Sequence, residues 1–176
     1  PLLNAIDDPA EFAAAALHEA LTLRGVAISG KPVSRHRFSN EVPNLKKGAG
    51  NPAAAGGFEL ARRLSPPLAE ILEVTAKESL NLHAELVLRE GGRVRRGMGT
   101  RQAALEELRA FLGEAGIPEE ECMLVDGSGL STQDAVTPQA LTRLLAHMHA
   151  SPLRDVWVTL LPEAGREGTL KGRLAG

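Results

Sequence analysis

The sequence predicts an α/β or α+β layered domain, and three observations carry that reading. Apolar residues recur at i, i+3, i+4 and i+7 along several runs, the period of a helix with one buried face. Between these runs stand short apolar stretches bounded by Gly, Pro and Asn, which read as strands. The two patterns alternate along 176 residues, a length that can bury a proper core, and that alternation is the signature of helices layered on a sheet.

The first helix opens at Asp8-Pro9-Ala10-Glu11. Asp8 is the cap, Pro9 takes the first helical position, where a missing N–H costs nothing, and Glu11 stands where a capping box needs it. Phe12, Ala13, Ala16, Leu17, Ala20 and Leu21 form its apolar stripe, and Arg24-Gly25 ends it with a cation and a flexible residue. Val26-Ala27-Ile28 is then expected to be a strand before the turn at Gly30-Lys31-Pro32. Val33 to Phe38 alternates loosely, Asn44 to Gly57 reads as a flexible connection of small residues, and Phe58 to Arg62 as a strand.

A second helix carries Leu68, Ile71, Leu72, Thr75 and Ala76, with Ser65 as cap and Pro66 and Pro67 at its first positions. It runs into Lys77-Glu78-Ser79-Leu80-Asn81-Leu82-His83-Ala84-Glu85, the corner around which the chain is organised. Ser79 and Asn81 interrupt the apolar period with groups that compete for backbone hydrogen bonds. Residues at i and i+2 do not share a face of a continuous helix, but in a short connection both can point into one cleft. The alternative is a plain joint between helices, with Ser79 and Asn81 as caps. The apolar pattern resumes through Leu82, Leu86, Val87 and Leu88.

Gly91 to Gly99 reads as a loop rich in glycine and arginine. Its Arg93-Val94-Arg95-Arg96 run is a solvated loop or, as the alternative, an anion site. Thr100 starts the next helix, with Ala104, Leu108, Phe111 and Leu112 inward and Gly113 and Gly116 ending it. Met123-Leu124-Val125 is expected to be a strand that runs into Asp126-Gly127-Ser128-Gly129-Leu130-Ser131. That turn is either structural or a cradle of N–H groups for an anion; its glycine spacing fits no phosphate loop and no nucleophile elbow. Thr137-Pro138 caps a helix with Leu141, Leu144, Leu145 and Met148 inward, and Val156 to Leu161 reads as a strand or a buried extended segment.

Composition excludes several function classes. The net charge of -2 and 3% aromatic content argue against nucleic acid, which needs a basic face and rings to stack on bases. No apolar run reaches transmembrane length, and no signal peptide is present, although a chain beginning at Pro1 is expected to be an excised or processed piece. The single Cys122 forms no internal disulfide and, after Glu119-Glu120-Glu121, is a buried or incidental thiol rather than a nucleophile. His18, His36, His83, His147 and His149 lack zinc spacing and read as surface or boundary residues.

Several of these pieces, taken in order, resemble one family. They are Ser65-Pro66-Pro67-Leu68, the Lys77 to Glu85 corner, Val125 to Ser131, Val136-Thr137-Pro138, and Leu161-Pro162 with Ala164-Gly165 and Gly168-Thr169-Leu170. Together they resemble the class C low-molecular-mass penicillin-binding proteins, serine D-alanyl-D-alanine carboxypeptidases and endopeptidases of bacterial cell-wall metabolism. The Asp8 to Gly30 unit resembles the segment that precedes the Ser-x-Asn box there.

The resemblance implies part of a transpeptidase fold, with helices packed on an antiparallel sheet that is incomplete in this chain. Residues 1–57 would be the end of an inserted subdomain and its return segment, and 58–176 part of the catalytic domain. It also implies an acyl-enzyme mechanism with boxes Ser-x-x-Lys, Ser-x-Asn and Lys-Thr-Gly. Ser79 would be the middle-box serine, passing a proton between the lysine and the leaving group, and Asn81 would hydrogen-bond the substrate carbonyl and the lysine. Asp126 and Ser128 would support the site. Leu80 stands in place of the more familiar aspartate. The implied partners are peptidoglycan stem peptides and β-lactams, the location periplasmic or extracytoplasmic, and no metal or organic cofactor is called for.

The sequence departs from the family in having neither Ser-x-x-Lys nor Lys-Thr-Gly; Lys171-Gly172 lacks the threonine. The expectation is therefore an internal fragment, inactive alone, of an enzyme whose first box precedes Pro1 and whose third follows Gly176. The alternative is a non-catalytic binding or scaffold module of the same fold.

Overall fold

The computed structural model describes residues 6–34 and 61–174, in two units, Pro1–Pro43 and Asn44–Gly176. In the first unit α1 (Pro9–Thr22) starts as its sequence dictates: Asp8 accepts hydrogen bonds from the Ala10 and Glu11 N–H groups, both at 3.0 Å. Residues 26–28 are not a strand. The Val26 N–H is used to close the helix, donating to the Leu21 carbonyl at 3.1 Å across Gly25 in the left-handed conformation, so it has no donor left for a ladder. The expectations for Asn44 to Gly57, for 35–38 and for 58–60 lie outside the described residues, and Ala61 and Arg62 are not in a strand.

The second unit contains α2 (Leu68–Lys77), α3 (Asn81–Arg96), α4 (Arg101–Glu114), the strands β1 (Cys122–Met123) and β2 (Ala135–Val136), α5 (Pro138–Ala150) and α6 (Arg154–Leu160). The start of α2 differs from expectation: Pro67, at φ −52° and ψ 147°, is its N-cap, and no side chain caps it. The physical reason is that a residue before proline is pushed out of the helical region, so neither Ser65 nor Pro66 can begin a helix ahead of Pro67. The starts of α4 and α5 are as expected, with Thr100 Oγ1 accepting from the Ala103 N–H at 3.2 Å and Thr137 Oγ1 from the Ala140 N–H at 3.1 Å.

Residues 91–96 are helical, not a loop. Gly92 is buried where α3 crosses α4; a Cβ there would lie 2.8 Å from the Ala104 nitrogen and 2.9 Å from its Cα, so the two backbones approach as only glycine permits. The arginines of this last turn are paired. Arg93 reaches Glu90 on its own helix, Arg95 and Arg96 each reach Glu107 of α4 at 3.0 Å, and Arg96 also reaches Glu106. The anion-site alternative therefore has no unpaired guanidinium in this run to rest on.

Leu112, Ile117, Cys122 and Ala140 form the buried cluster, with Leu108, Phe111, Ala115, Leu124 and Leu144 packed against it. Helix α4 continues through Gly113 to Glu114, and Gly116 adopts the left-handed turn that ends it. On α5 the inward residues include Ala140 and Leu144, while Leu141 and Leu145 are about half exposed. His147 packs edge-on to Phe111, ring centroids 5.7 Å apart. The hairpin pairs Cys122 with Val136 and Met123 with Ala135, antiparallel. It is shorter than expected, because the Val125 N–H donates to Asp134 Oδ1 at 2.7 Å instead of to a neighbouring strand. Burial, and then the negative charge of Asp134, push the Cys122 thiol up, so the cysteine is inert for a reason other than the Glu119–Glu121 run.

Residues 154–160 form a helix where a strand was expected. Val156, Val158 and Thr159 favour strands by propensity, but α6 lies against α2, and packing overrides a preference of a few tenths of a kcal/mol per residue. Ser151 Oγ accepts from the Leu153 N–H at 3.0 Å in the turn between α5 and α6, and α6 itself begins after Leu153 without a side-chain cap.

Candidate functional site

The corner between α2 and α3 is built on an unusual backbone. The Leu80 N–H donates to the Thr75 carbonyl at 3.0 Å, the i+5 to i bond of a helix closed by a left-handed residue, and that residue is Ser79, at φ 56°. Two other helices end on the same bond: Val26 to Leu21 across Gly25, and Ile117 to Leu112 across Gly116. Glycine occupies the left-handed position in both, because a Cβ there crowds the carbonyl and costs about 1–2 kcal/mol. Serine at the equivalent place in α2 is therefore a strained residue where an unstrained one was available, a feature that concentrates at functional sites.

The rest of the corner holds that strain in place. Thr75 is buried and donates its hydroxyl to the Ile71 carbonyl at 2.6 Å. Leu80 caps α3, and Asn81 is its first residue. Ser79 and Asn81 are both exposed, and neither side chain hydrogen-bonds within the described residues. The first turn of α3 carries no acidic residue and its cap makes no side-chain bond, so no side chain of that turn offsets the positive end of the helix dipole. A hydroxyl and a carboxamide in solvent at such an end suit proton transfer and hydrogen bonding to a carbonyl.

Asp126 and Ser128 are organised differently from the anion-cradle alternative. Asp126 Oδ1 accepts from the Gly129 N–H at 2.6 Å and from the Ser128 N–H at 2.8 Å, and its Oδ2 from the Ser131 N–H at 2.9 Å; the Ser128 hydroxyl donates to Oδ1 at 3.1 Å. The N–H groups that would have held a ligand anion hold the turn's own carboxylate. Burial alone would raise the pKa of Asp126, but these donors outweigh it and keep the carboxyl below its ordinary range.

Glu85, one helical turn beyond Asn81, ties this turn to the corner: its Oε1 accepts from the Gly127 N–H at 2.6 Å. A methyl on Gly127 would sit 2.8 Å from a Leu88 methyl, so the turn lies flat on α3. A cleft of about 570 Å³ runs along this junction, walled by Leu82, Glu85 and Arg89 on one side and Asp126, Ser128 and Ser131 on the other. Ser79 and Asn81 are not among its walls, so the expected single cleft becomes a corner with a cleft along the same helix. A second groove, between α2 and α3, is lined mainly by Ile71, Val74, Leu86 and Val87, with Glu70 and His83 also on its walls; Ser79 does not line it.

Sequence reading missed Glu85, because nothing in one helix marks the turn it will bind. It also missed the role of Lys77, whose ammonium lies 2.7 Å from Glu73 and 2.8 Å from Glu167. Those two carboxylates, Glu167 foremost, raise the Lys77 pKa, which makes it a held cation and a poor base for Ser79. Among the described residues no group of three His, Cys, Asp or Glu side chains is arranged to hold a metal ion, and no helix is long and apolar enough to cross a membrane.

Comparison with known proteins gives this geometry its family. A D-alanyl-D-alanine carboxypeptidase of an Actinomadura species is 33% identical over 180 residues, covering 99% of this chain and 31% of that protein. Carboxypeptidase DacB of Mycolicibacterium smegmatis is 37% identical over 124 residues, 67% of this chain and 26% of the relative. The crystal structure of penicillin-binding protein 4 (dacB) from Haemophilus influenzae superposes with a TM-score of 0.74 at 25% identity, over 96% of this chain and 34% of that one. A second structure of that protein, complexed with a β-lactam, gives 0.71 over 97% and 36%. The chain thus spans about a third or less of the length of the relatives it matches, and its helices with a two-strand antiparallel sheet are the expected part of their fold. All of residues 1–176 match a single family, and this chain belongs to it: the D-Ala-D-Ala carboxypeptidase 3 (S13) family, of low-molecular-mass penicillin-binding proteins.

Proposed function

We propose that these residues are the Ser-x-Asn-bearing part of a serine-type D-Ala-D-Ala carboxypeptidase or endopeptidase that cuts peptidoglycan stem peptides in the periplasm or another extracytoplasmic space. The observation that carries the reading is Ser79: a serine in the left-handed position that glycine fills at two other helix ends, exposed and one residue from an exposed Asn81. In the full-length enzyme a serine of the Ser-x-x-Lys box attacks the penultimate carbonyl, and its lysine takes the proton. Ser79 relays that proton to the departing D-alanine amine, Asn81 hydrogen-bonds the substrate carbonyl and the lysine, and water then hydrolyses the acyl-enzyme. Asp126 and Ser128 support the site by keeping their turn rigid against α3. Residues 58–176 belong to the catalytic domain, and 1–57 to the end of an inserted subdomain and its return segment.

The sequence contains neither Ser-x-x-Lys nor Lys-Thr-Gly, so the chain alone has no nucleophile and forms no acyl-enzyme. The test is the intact mass of the full-length protein and of this chain after incubation with benzylpenicillin. An adduct on the long form only is the expected result. No adduct on either replaces this reading with a non-catalytic module of the same fold, and an adduct on the short chain means that the nucleophile has been misplaced. In the full-length enzyme Asn81→Ala lowers the acylation rate by on the order of a hundredfold, the scale of one polar transition-state group; unchanged kinetics remove Asn81 from the site.

A further inference from the structure

The segment after α6 meets the last turn of α2 and is organised as a small closed loop. The Gly165 N–H donates to the Leu170 carbonyl at 3.1 Å, the Glu167 N–H to the Glu163 carbonyl at 3.2 Å, and Gly165 and Gly168 both have positive φ. Two contacts join this loop to the last turn of α2. Glu167 holds the Lys77 ammonium, a side chain only 14% exposed. Gly168 presses on the Lys77 main chain so closely that a Cβ there would lie 2.5 Å from the carbonyl oxygen and 3.1 Å from the carbonyl carbon. Lys77 is two residues before Ser79, and its carbonyl is one of the last of α2, the part of a helix with no partner of its own.

We infer that the loop Glu163–Leu170 is a positioning element for Ser79: the Lys77–Glu167 pair and the Gly168 contact press the end of α2 into the left-handed turn that sets the serine hydroxyl. This rests on the proposed role of Ser79. The loop needs glycine at 168 for two separate reasons, a φ of +57° and the absence of room for a Cβ. The cation has a mechanical part. Held between Glu73 of the same helix and Glu167 of the loop, it joins the two elements one turn from the strained residue, and a strained backbone persists only where its surroundings over-determine it. Lys77 and Gly168 are thus positioning residues, acting on the reaction through Ser79.

The experiment is a double-variant cycle in the full-length protein with a fluorescent penicillin, reading the limiting acylation rate and the half-saturating concentration separately. Gly168→Ala is expected to lower the limiting rate by about a hundredfold, the usual cost of displacing a catalytic group by an ångström, with half-saturation unchanged. Glu167→Gln lowers the same rate by less, and Lys77→Arg retains activity that Lys77→Met loses. Combined with Ser79→Ala, Gly168→Ala adds no further loss, since both act through one hydroxyl. If Ser79→Ala slows acylation but the Gly168 loss is additive with it, or falls on half-saturation, the inference is overturned and the role of Ser79 stands. If Ser79→Ala changes nothing, the role of Ser79 falls and this inference with it. Glu167→Gln keeps the loop's shape and removes one charge, so it carries the same cycle if Gly168→Ala does not fold.

Discussion

Replacing Ser79 by glycine or by alanine removes the same hydroxyl, yet the two variants part in stability. Alanine keeps a Cβ at φ 56° and so keeps a left-handed cost of about 1–2 kcal/mol. Glycine relieves that cost but gives back roughly 0.5–1 kcal/mol of backbone entropy. The difference favours glycine by about 0.5–1 kcal/mol. With a urea dependence of about 2 kcal/mol per molar, its unfolding midpoint lies about 0.4 M above that of alanine. In the full-length enzyme both lose acylation by on the order of a hundredfold, the scale of one proton-transfer group. The glycine variant is thus the more stable of two equally impaired proteins, as expected where strain is kept for function. Urea unfolding of this chain with each substitution measures the first quantity, and stopped-flow acylation of the full-length variants the second. A glycine variant with a midpoint at or below that of alanine would refute the argument from backbone strain.

Two further predictions concern the scaffold. Gly92→Ala is expected to destabilise by about 1–3 kcal/mol, the usual cost of overpacking, because the added methyl meets the backbone of Ala104, which cannot rotate away as a side chain would; a midpoint unchanged in urea contradicts the close approach of α3 and α4. The Asp126 turn is expected to loosen in acid. Because its folded pKa is depressed, its contribution to stability is present above the ordinary aspartate value of about 4 and is lost as pH falls through the lower folded value. The amide resonances of Gly129 and Ser131 should therefore titrate with a midpoint below 4, and a midpoint at or above it shows that these amides do not hold the carboxylate.

What was legible from the amino acids alone was local. Asp8, Thr100 and Thr137 start their helices because a side-chain oxygen reaches an N–H two or three residues away, and such bonds need no partner from elsewhere in the chain. The break at Ser79 and Asn81 was legible for the same reason, as was the family, whose motifs lie in order along the chain. The left-handed Ser79 backbone, the reach of Glu85 to Gly127 across 42 residues and the seat of Gly168 on Lys77 were not. The last two depend on where a distant segment packs, and a residue cannot encode in its own identity a neighbour brought to it by folding; the first closes on a local bond, from Leu80 to Thr75, but at a residue type that disfavours the left-handed region. Residues 154–160 give the same lesson in reverse: β-branched side chains argued for a strand, yet the segment is a helix lying against α2, since tertiary context outweighs a weak intrinsic preference. Ser79 and Asn81 could thus be singled out in advance as candidates, while the contacts around them came from tertiary packing.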